Sequence, residues 1–239
     1  MLLTSISVSK KGHYMQKIDF IPIETDRLII DEFKTSDFEA LQEIAFKINA
    51  NADAHFDEGY CPFYTFQVDK DEKDRTNKIR QKVADFIIKA TRERETEPRS
   101  TYRMAVRLKD GTLIGNTTID MLPIQEDGKT IYGDLGYFIN PEYGSQGYAT
   151  EAVRGLTHHF FKKYEKLDVT THPNNRFSRN LIERIGGKKV GYKEASHYGN
   201  SEPRVIFEVS KKDFYKTCAF NKNFPELLTV LVNNKIKRK

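Results

Sequence analysis

The chain has 239 residues, and its hydrophobic content of 38% is enough to build a packed core, which excludes an intrinsically disordered protein. Charged residues make up 31% of the chain, the mean hydropathy is −0.63, and no apolar run reaches the roughly 20 residues that a membrane helix needs. A transmembrane protein is therefore excluded, and we expect no contact with a membrane. The opening residues have neither the basic start nor the small-residue cleavage site of a secretory leader, so secretion is not expected.

The cysteine content and the distribution of charge indicate the compartment and the possible partners. Cys61 and Cys218 are far apart and lack CxxC spacing, so neither a disulfide framework nor a cysteine zinc site is predicted, and we expect a reduced, cytoplasmic protein. The net charge of +5 is concentrated in residues 211–239, which carry a surplus of six positive charges on a nearly neutral body. This basic tail is predicted either to be simply solvated or to make weak contact with a polyanion.

The first elements of the chain alternate between extended and helical patterns. Residues 1–20 have no sustained period and are predicted to form a loose N-terminal extension. Residues 23–33 predict a short strand, and the apolar spacing that follows predicts a helix. We expect this helix to start at Thr35 or Ser36, with Glu39 completing its cap.

A polar segment separates that helix from the next one. Residues 49–76 are irregular and have an aromatic-rich centre, which predicts a loop or a lid. From residue 77 the apolar residues again recur at helical spacing, and this amphipathic helix ends before Pro98.

The period then changes to strict alternation, which predicts strands. These strands and the helices between them are expected at residues 102–108, 112–121 and 130–139 (strands), 147–164 (helix), 167–171 (strand), 174–185 (helix), and 188–195 and 203–209 (strands). Lys109-Asp110-Gly111 suits a hairpin turn, and Gly186 suits a helix C-terminal cap. The order of elements predicts an α/β (α+β) fold with one mixed, mostly antiparallel sheet and flanking helices.

The segment IYGDLGYFINPEYGSQGYATEAV, residues 131–153, is the most informative part of the sequence. A strand runs into a loop rich in glycine and serine, which leads directly into a helix. The unpaired N–H groups at a helix start carry the positive end of the helix dipole, so such a loop can wrap a phosphate, although an ordinary strand-to-helix turn has the same pattern. Neither a Rossmann G-x-G-x-x-G nor a P-loop motif is present, which argues against dinucleotide binding and nucleotide hydrolysis.

This segment resembles the pyrophosphate-binding turn of the GNAT acetyltransferase superfamily, whose pattern is Gln/Arg-x-x-Gly-x-Gly/Ala. Gly147 and Ala149 match the last two positions, whereas Gly144 stands where the family has a side chain that supports the loop. The resemblance implies that coenzyme A binds along the loop, whose residues are Gly144, Ser145, Gln146, Gly147, Tyr148 and Ala149.

Other segments resemble the branch of this superfamily that acetylates ribosomal-protein N-termini, the RimJ/RimL-like enzymes. ETDRLIIDEF is similar to its opening strand, LKDGTLIGNTTI to its central hairpin, DLGYFINPEY to its splayed strand and HPNNRFSRNLIERIGG to its Asn-x-x-Ser helix. The resemblance implies a GNAT-like twisted sheet with a splayed pair of central strands. It covers residues 21–211 as one acetyltransferase domain, which leaves residues 1–20 as an N-terminal and residues 212–239 as a basic C-terminal extension.

The resemblance implies an acetyl-CoA-dependent N-acetyltransferase that transfers the acetyl group directly to a primary amine in a ternary complex. In the family, the parted strands leave backbone groups free for the pantetheine arm and the acetyl carbonyl, here around Phe138 and Ile139, and Asn175 lies on the asparagine that contacts the coenzyme. No covalent enzyme intermediate is expected.

The resemblance also nominates the group that protonates the departing thiolate. Many members use a tyrosine, but Ile182 stands at that position here, and the Asn-x-x-Ser branch implies Ser178 instead. Tyr164 and Tyr192 are less favoured donors.

The base that deprotonates the amine is less well defined by the sequence. Asp134 lies where relatives carry an acid and His172 precedes the Asn-x-x-Ser helix, whereas Asp120 has a weaker case. His158 and His159 are adjacent rather than four residues apart, so no metal site is predicted.

Two other functions stay open. One is a coenzyme-binding but catalytically degenerate module, and the other is an RNA- or ribosome-associating protein that uses the basic tail. The amine acceptor is also open, between a small molecule, such as a polyamine, an amino sugar or an amino acid, and a protein N-terminus.

Overall fold

The computed structural model describes residues 20–54, 65–96, 99–122, 130–197 and 200–218. Its helices are α1 (Phe38–Ala54), α2 (Arg75–Glu95), α3 (Tyr148–Phe161), α4 (Arg176–Arg184) and α5 (Lys211–Cys218). Its strands are β1 (Ile23–Glu24), β2 (Leu28–Glu32), β3 (Thr101–Leu108), β4 (Leu113–Leu122), β5 (Thr130–Ile139), β6 (Lys166–Thr171), β7 (Gly187–His197) and β8 (Asn200–Ser210). Within these ranges no helix is long and apolar enough to cross a bilayer.

The strands form one sheet in the order β1-β2-β3-β4-β5-β6-β8-β7. Neighbouring strands are antiparallel except β5 and β6, which are parallel because the chain crosses from one to the other through α3. The predicted mixed, mostly antiparallel sheet with flanking helices is therefore confirmed.

The two halves of this sheet separate between β5 and β6. Their parallel pairing joins Thr130–Tyr132 to Lys166–Asp168, and in the described part of the chain it extends no further. Beyond this point β5 continues to pair with β4 and β6 with β8. A gap therefore opens between the two strands toward their C-terminal ends, which confirms the predicted splayed pair.

Hydrophobic clusters cover the two faces of the sheet. One cluster lies between the sheet and α3, α4 and α5, and the other lies under α1 and α2. Side chains alternate along β5, so Leu135 and Ile139 pack toward α3 whereas Phe138 belongs to the cluster under α1 and α2. The splayed strand therefore has one helical layer on each side.

The predicted loop at residues 49–76 is wrong at its start, because α1 continues to Ala54. Asn49 is buried, and its side chain donates to the Phe66 carbonyl (2.9 Å) and accepts the Val68 N–H (2.9 Å). In the sequence a buried asparagine cannot be told from an exposed one, so the polar Asn49 is interpreted as the start of a loop although it lies inside α1. Phe66 is packed edge-on against Phe138 (5.3 Å between ring centroids), while residues 55–64 lie outside the described residues.

The start of α1 also differs from the prediction. Thr35–Asp37 form a 3₁₀ turn, and the carboxylate that accepts the Lys34 N–H (2.8 Å) belongs to Asp37 rather than Glu39. Arg107 of β3 holds the same carboxylate through two hydrogen bonds (2.9 and 2.7 Å). Asp37 rather than Glu39 is therefore the capping residue, because Arg107, which is distant in sequence, holds its carboxylate in place.

The end of the described chain packs on the domain. Phe214 of α5 is buried against Phe161, with ring centroids 5.2 Å apart. The domain boundary at residue 211 stays a prediction. Lys211 is the first residue of α5, a helix that contributes to the core. Residues 219–239, most of the predicted basic extension, lie outside the described residues, as do residues 1–19.

Candidate active site

The loop between β5 and α3 begins with a turn that fixes its direction. Asn140 donates its main-chain N–H to the Ile114 carbonyl (2.8 Å), and its side chain accepts the Glu142 N–H (3.2 Å). This side chain caps the 3₁₀ turn Pro141–Tyr143. The turn carries the chain from the end of β5 to the start of the glycine-containing loop.

The backbone of that loop changes handedness from residue to residue. The φ angle is −63° at Gly144, +58° at Ser145 and +83° at Gly147, while Gln146 is not among the residues with positive φ. Such alternation directs successive N–H groups to one side and forms a concave anion site. Gly147 has the positive φ that glycine adopts without steric cost, which explains why this position is a glycine.

The N–H groups of this loop are available to a ligand. Among the described residues, none of the main-chain N–H groups of residues 145–150 donates to another protein group. Gly144 closes the 3₁₀ turn on the Pro141 carbonyl (3.0 Å), and Glu151 is the first residue to donate back, to the Gly147 carbonyl (3.0 Å). These free N–H groups lie at the positive end of the α3 dipole, so the site fits a phosphate or diphosphate.

Arg27, which the sequence analysis did not identify, supports the loop from the turn between β1 and β2. Its guanidinium binds the buried carboxylate of Glu151 (Nε at 2.7 Å, Nη2 at 2.6 Å), donates through Nη1 to the Gln146 carbonyl (3.0 Å), and stacks over the Tyr148 ring (4.3 Å). Thr25 adds a hydroxyl hydrogen bond to Glu151 (2.6 Å). The sequence signal that could have pointed to this contact is Glu151, an acid in the first turn of α3 that is flanked by residues of the helix's apolar face.

A second ion pair lies on the other flank of the loop. Lys47 of α1 contacts Glu142 (Nζ to Oε2, 2.6 Å), and this hydrogen bond raises the pKa of Lys47. Both acids around the loop, Glu142 and Glu151, are therefore paired with cations. This pairing removes their repulsion from the place where a phosphate would bind.

The gap between β5 and β6 lies directly before the loop. Because Asn140 donates toward β4, strand alternation also turns the main chain of Phe138 toward β4 and that of Ile139 toward the gap. The N–H and C=O of Ile139 have no partner among the described residues. Of the two predicted residues, Ile139 thus presents its backbone to the gap, while Phe138 buries its ring under α1 and α2.

Asn175 and Ser178 lie together at the start of α4, which follows β6 at the open end of the gap. The Asn175 side-chain oxygen accepts the Ser178 N–H (2.9 Å) and caps the helix. Ser178 is 9% exposed, and its hydroxyl has no hydrogen bond to any described residue. At the far end of α4, Arg154 of α3 donates to the Arg184 carbonyl (2.7 Å), so α4 is fixed against α3.

The predicted base residues lie on either side of the gap. Asp134 of β5 is paired in register with Asp120 of β4. His172 follows β6, and its Nδ1 accepts the Asn174 N–H (3.1 Å). That hydrogen bond leaves the proton of a neutral imidazole on Nε2.

The tyrosines considered as donors lie elsewhere. Tyr164 is buried beyond the C-terminal end of α3, about 20 Å from the loop by the length of the helix, and burial raises the pKa of its hydroxyl. Tyr192 is 63% exposed on β7 and contacts Lys189. Ile182 of α4 is buried in the core, so it supplies no hydroxyl.

The family model described as Acetyltransferase (GNAT) domain matches residues 27–188, more than half of the chain. The chain belongs to the GNAT acetyltransferase family. This confirms the resemblance inferred from the loop and the Asn-x-x-Ser helix, and the GNAT enzyme is an acetyl-CoA-dependent N-acetyltransferase. No group of three or more His, Cys, Asp or Glu residues within the described ranges is arranged to hold a metal ion.

Similar proteins come from several bacteria. The chain is 26% identical to the uncharacterized N-acetyltransferase YnaD of Bacillus subtilis over 173 residues. This match covers 71% of this chain and 84% of YnaD. The fold is similar to Mycobacterium smegmatis RimJ in complex with CoA-disulfide (TM-score 0.59, 15% identity, 88% of this chain and 92% of RimJ). It is also similar to a putative ribosomal-protein-serine acetyltransferase from Vibrio cholerae (TM-score 0.58, 22% identity, 82% of this chain and 99% of that one).

Proposed function

We propose that this GNAT enzyme transfers the acetyl group of acetyl-CoA directly to a primary amine, with both substrates bound in the gap between β5 and β6. The observation that carries the proposal is the position of the free N–H groups of residues 145–150 beside that gap. Acetyl-CoA supplies the thioester, and the protein supplies its orientation and the proton transfers.

The loop residues bind the diphosphate of the coenzyme in this proposal. Ser145, Gln146, Gly147, Tyr148 and Ala149 offer main-chain N–H groups, and Gly144 allows the chain to enter the turn. The site fits this group because it has unpaired donors and because Glu142 and Glu151, the two acids described beside it, are paired with cations. The main chain of Ile139 binds the pantetheine arm and polarises the acetyl carbonyl, and Phe138 holds the strand in place.

Ser178 is the proposed proton donor to the departing thiolate. Its hydroxyl is free of protein partners in the described structure, and it lies in the first turn of α4, where the helix dipole favours negative charge. Asn175 positions this turn through its side-chain oxygen and has an amide nitrogen left for the coenzyme.

Asp134 is the proposed base, with His172 as the alternative. For His172 to accept a proton on Nδ1, it must give up the hydrogen bond from Asn174, which favours the carboxylate. Asp134 lies on the splayed strand before the gap. The acceptor stays open between a small-molecule amine and a protein N-terminus. The cytoplasm is the proposed compartment, because the two cysteines are far apart in sequence and do not indicate a disulfide framework.

Release of free thiol from acetyl-CoA across a panel of amines tests the proposal. The wild-type chain is expected to release thiol with at least one amine. Ser178→Ala is expected to lower kcat by roughly a hundredfold, because general acid catalysis contributes about that much, while its affinity for acetyl-CoA stays unchanged. Asn180→Ala, on the exposed side of α4, is the matched control and should retain full turnover.

Two results would contradict the proposal. Absence of acetyl-CoA binding would overturn the assignment of the loop. Binding without thiol release from any amine would favour the catalytically degenerate module, which the glycine at position 144 and the isoleucine at position 182 also fit.

A further inference from the structure

Gly144 leaves the loop without the supporting side chain that the GNAT pattern has at this position, and Arg27 contacts the loop from outside it. We propose that Arg27 is a positioning residue, which holds the peptide between Gln146 and Gly147 in the orientation that binds the coenzyme diphosphate. The inference rests on the proposed function of the loop. It is carried by the hydrogen bond from Arg27 Nη1 to the Gln146 carbonyl oxygen (3.0 Å).

The planar trans peptide explains how this single contact acts at a distance from Arg27. In such a peptide the C=O and the N–H point in opposite directions. Because Arg27 holds the Gln146 oxygen on its own side, the N–H of Gly147 points away from Arg27. It is one of the free donors at the start of α3.

The glycine that makes the loop possible also makes this peptide easy to turn over. Gly147 has a φ of +83°, and glycine adopts positive and negative φ at similar cost. A reversed peptide would present the partial negative charge of the Gln146 oxygen to the diphosphate instead of an N–H. Holding that oxygen therefore excludes a loop conformation that repels the ligand.

Arg27 is itself held firmly enough to do this. Two of its nitrogens bind Glu151, whose side chain is 2% exposed, and its guanidinium lies on the Tyr148 ring. Glu151 also accepts the main-chain N–H of Arg27 (2.9 Å). Glu151 neutralises the charge of Arg27. The contribution of Arg27 to anion binding therefore comes through the Gln146–Gly147 peptide rather than through direct attraction.

The test distinguishes the positioning of the Gln146–Gly147 peptide by Arg27 from the effect of the Arg27–Glu151 ion pair alone. Arg27→Lys can still pair with Glu151, but a single ammonium on a flexible chain does not reproduce the guanidinium fork that contacts Glu151 and Gln146 together. We expect the melting temperature to stay near the wild-type value while the affinity for coenzyme A, measured by calorimetry, falls about tenfold, which is roughly 1.4 kcal/mol.

A double variant and a control complete the design. Arg27→Gln combined with Glu151→Gln removes both charges, so no carboxylate is left buried without a partner. It is expected to fold and to lose coenzyme affinity to a similar degree. Lys211→Ala removes a surface cation that pairs with Glu165 beyond the C-terminal end of α3, and it should bind coenzyme A within about twofold of wild type, because the loop is untouched.

The outcomes are distinguishable. If the wild-type chain does not bind coenzyme A, the proposed function fails. If the wild-type chain and Arg27→Lys bind equally well, the function stands and the positioning role is overturned. The role is also overturned if the loss in Arg27→Lys follows a matching loss of thermal stability, since Arg27 would then act on the fold.

Discussion

The side-chain oxygen of Asn175 accepts the main-chain N–H of Ser178 at 2.9 Å, so the residue that caps α4 also fixes the backbone of the proposed proton donor. The amide nitrogen of Asn175 has no hydrogen bond to any described residue. The two ends of one side chain are thus separable: the oxygen stabilises the helix, and the nitrogen is available to the coenzyme.

Substitutions at Asn175 separate these two roles. Asn175→Ala removes the cap and is expected to lower the free energy of unfolding by about 1 kcal/mol. Asn175→Asp retains an oxygen acceptor, which the helix dipole also favours, so its stability should match wild type while its coenzyme affinity falls. Denaturant unfolding and calorimetry with coenzyme A measure the two effects. Wild-type affinity in Asn175→Asp would show that the amide nitrogen does not contact the coenzyme.

The glycine at the start of α3 can be compared with a glycine of similar conformation far from the gap. Gly147 and Gly111 have φ angles of +83° and +93°, and a Cβ at Gly111 meets no atom within 4 Å. Alanine at either position is expected to cost about 1–2 kcal/mol in backbone strain. Only Gly147→Ala should weaken coenzyme binding, and Gly147→Glu should abolish it by charge and bulk. Calorimetry on all three variants checks this, and equal binding in the glutamate variant would rule out the loop assignment.

Asp134 and Asp120 are a matched pair of positions for substitution, since they are opposite each other in the β4–β5 backbone register. Loss of a general base is expected to lower kcat/KM about a hundredfold. Asp134→Asn should show this loss, with coenzyme affinity unchanged, whereas Asp120→Asn should keep the wild-type value. Steady-state rates with an accepted amine provide the measurement, and a loss in Asp120→Asn but not in Asp134→Asn would transfer the role to Asp120.

The histidines near the end of α3 predict the pH dependence of stability. Burial lowers the pKa of both His158 and His159 from 6.5 to about 4 in the folded chain. Between these values the unfolded chain binds protons that the folded chain does not, so stability is complete above about pH 6.5 and declines as the pH falls toward 4. The melting temperature should therefore drop on acidification across this range.

His158→Asn tests the source of that drop. An asparagine can keep a hydrogen bond to the Tyr215 hydroxyl, which lies 3.0 Å from His158 Nδ1, but it does not titrate. The variant is expected to lose less of its melting temperature than wild type over the same pH range. An identical loss in both proteins would assign the acid sensitivity to other groups.

Local patterns were sufficient for most of the fold. Alternation predicted β3, β4 and β5 nearly to the residue, and apolar spacing predicted α2 and α3, because the periods of strands and helices follow from local backbone geometry. The prediction failed at Asn49 and at the cap of α1, where the buried side chains of Asn49 and Asp37 are held by partners distant in sequence. Such a residue looks exposed until its partner is known.

The loop proposed to bind phosphate and the Asn-x-x-Ser helix could be located from local sequence, because a glycine with positive φ and a helix cap are local requirements of the chain. Tertiary structure, in contrast, sets how the loop is supported. Arg27 and Glu151 are 124 residues apart, and neither stands out until β2 and α3 pack together. It also decided that the main chain of Ile139, rather than that of Phe138, faces the gap, since this depends on which neighbour each strand pairs with.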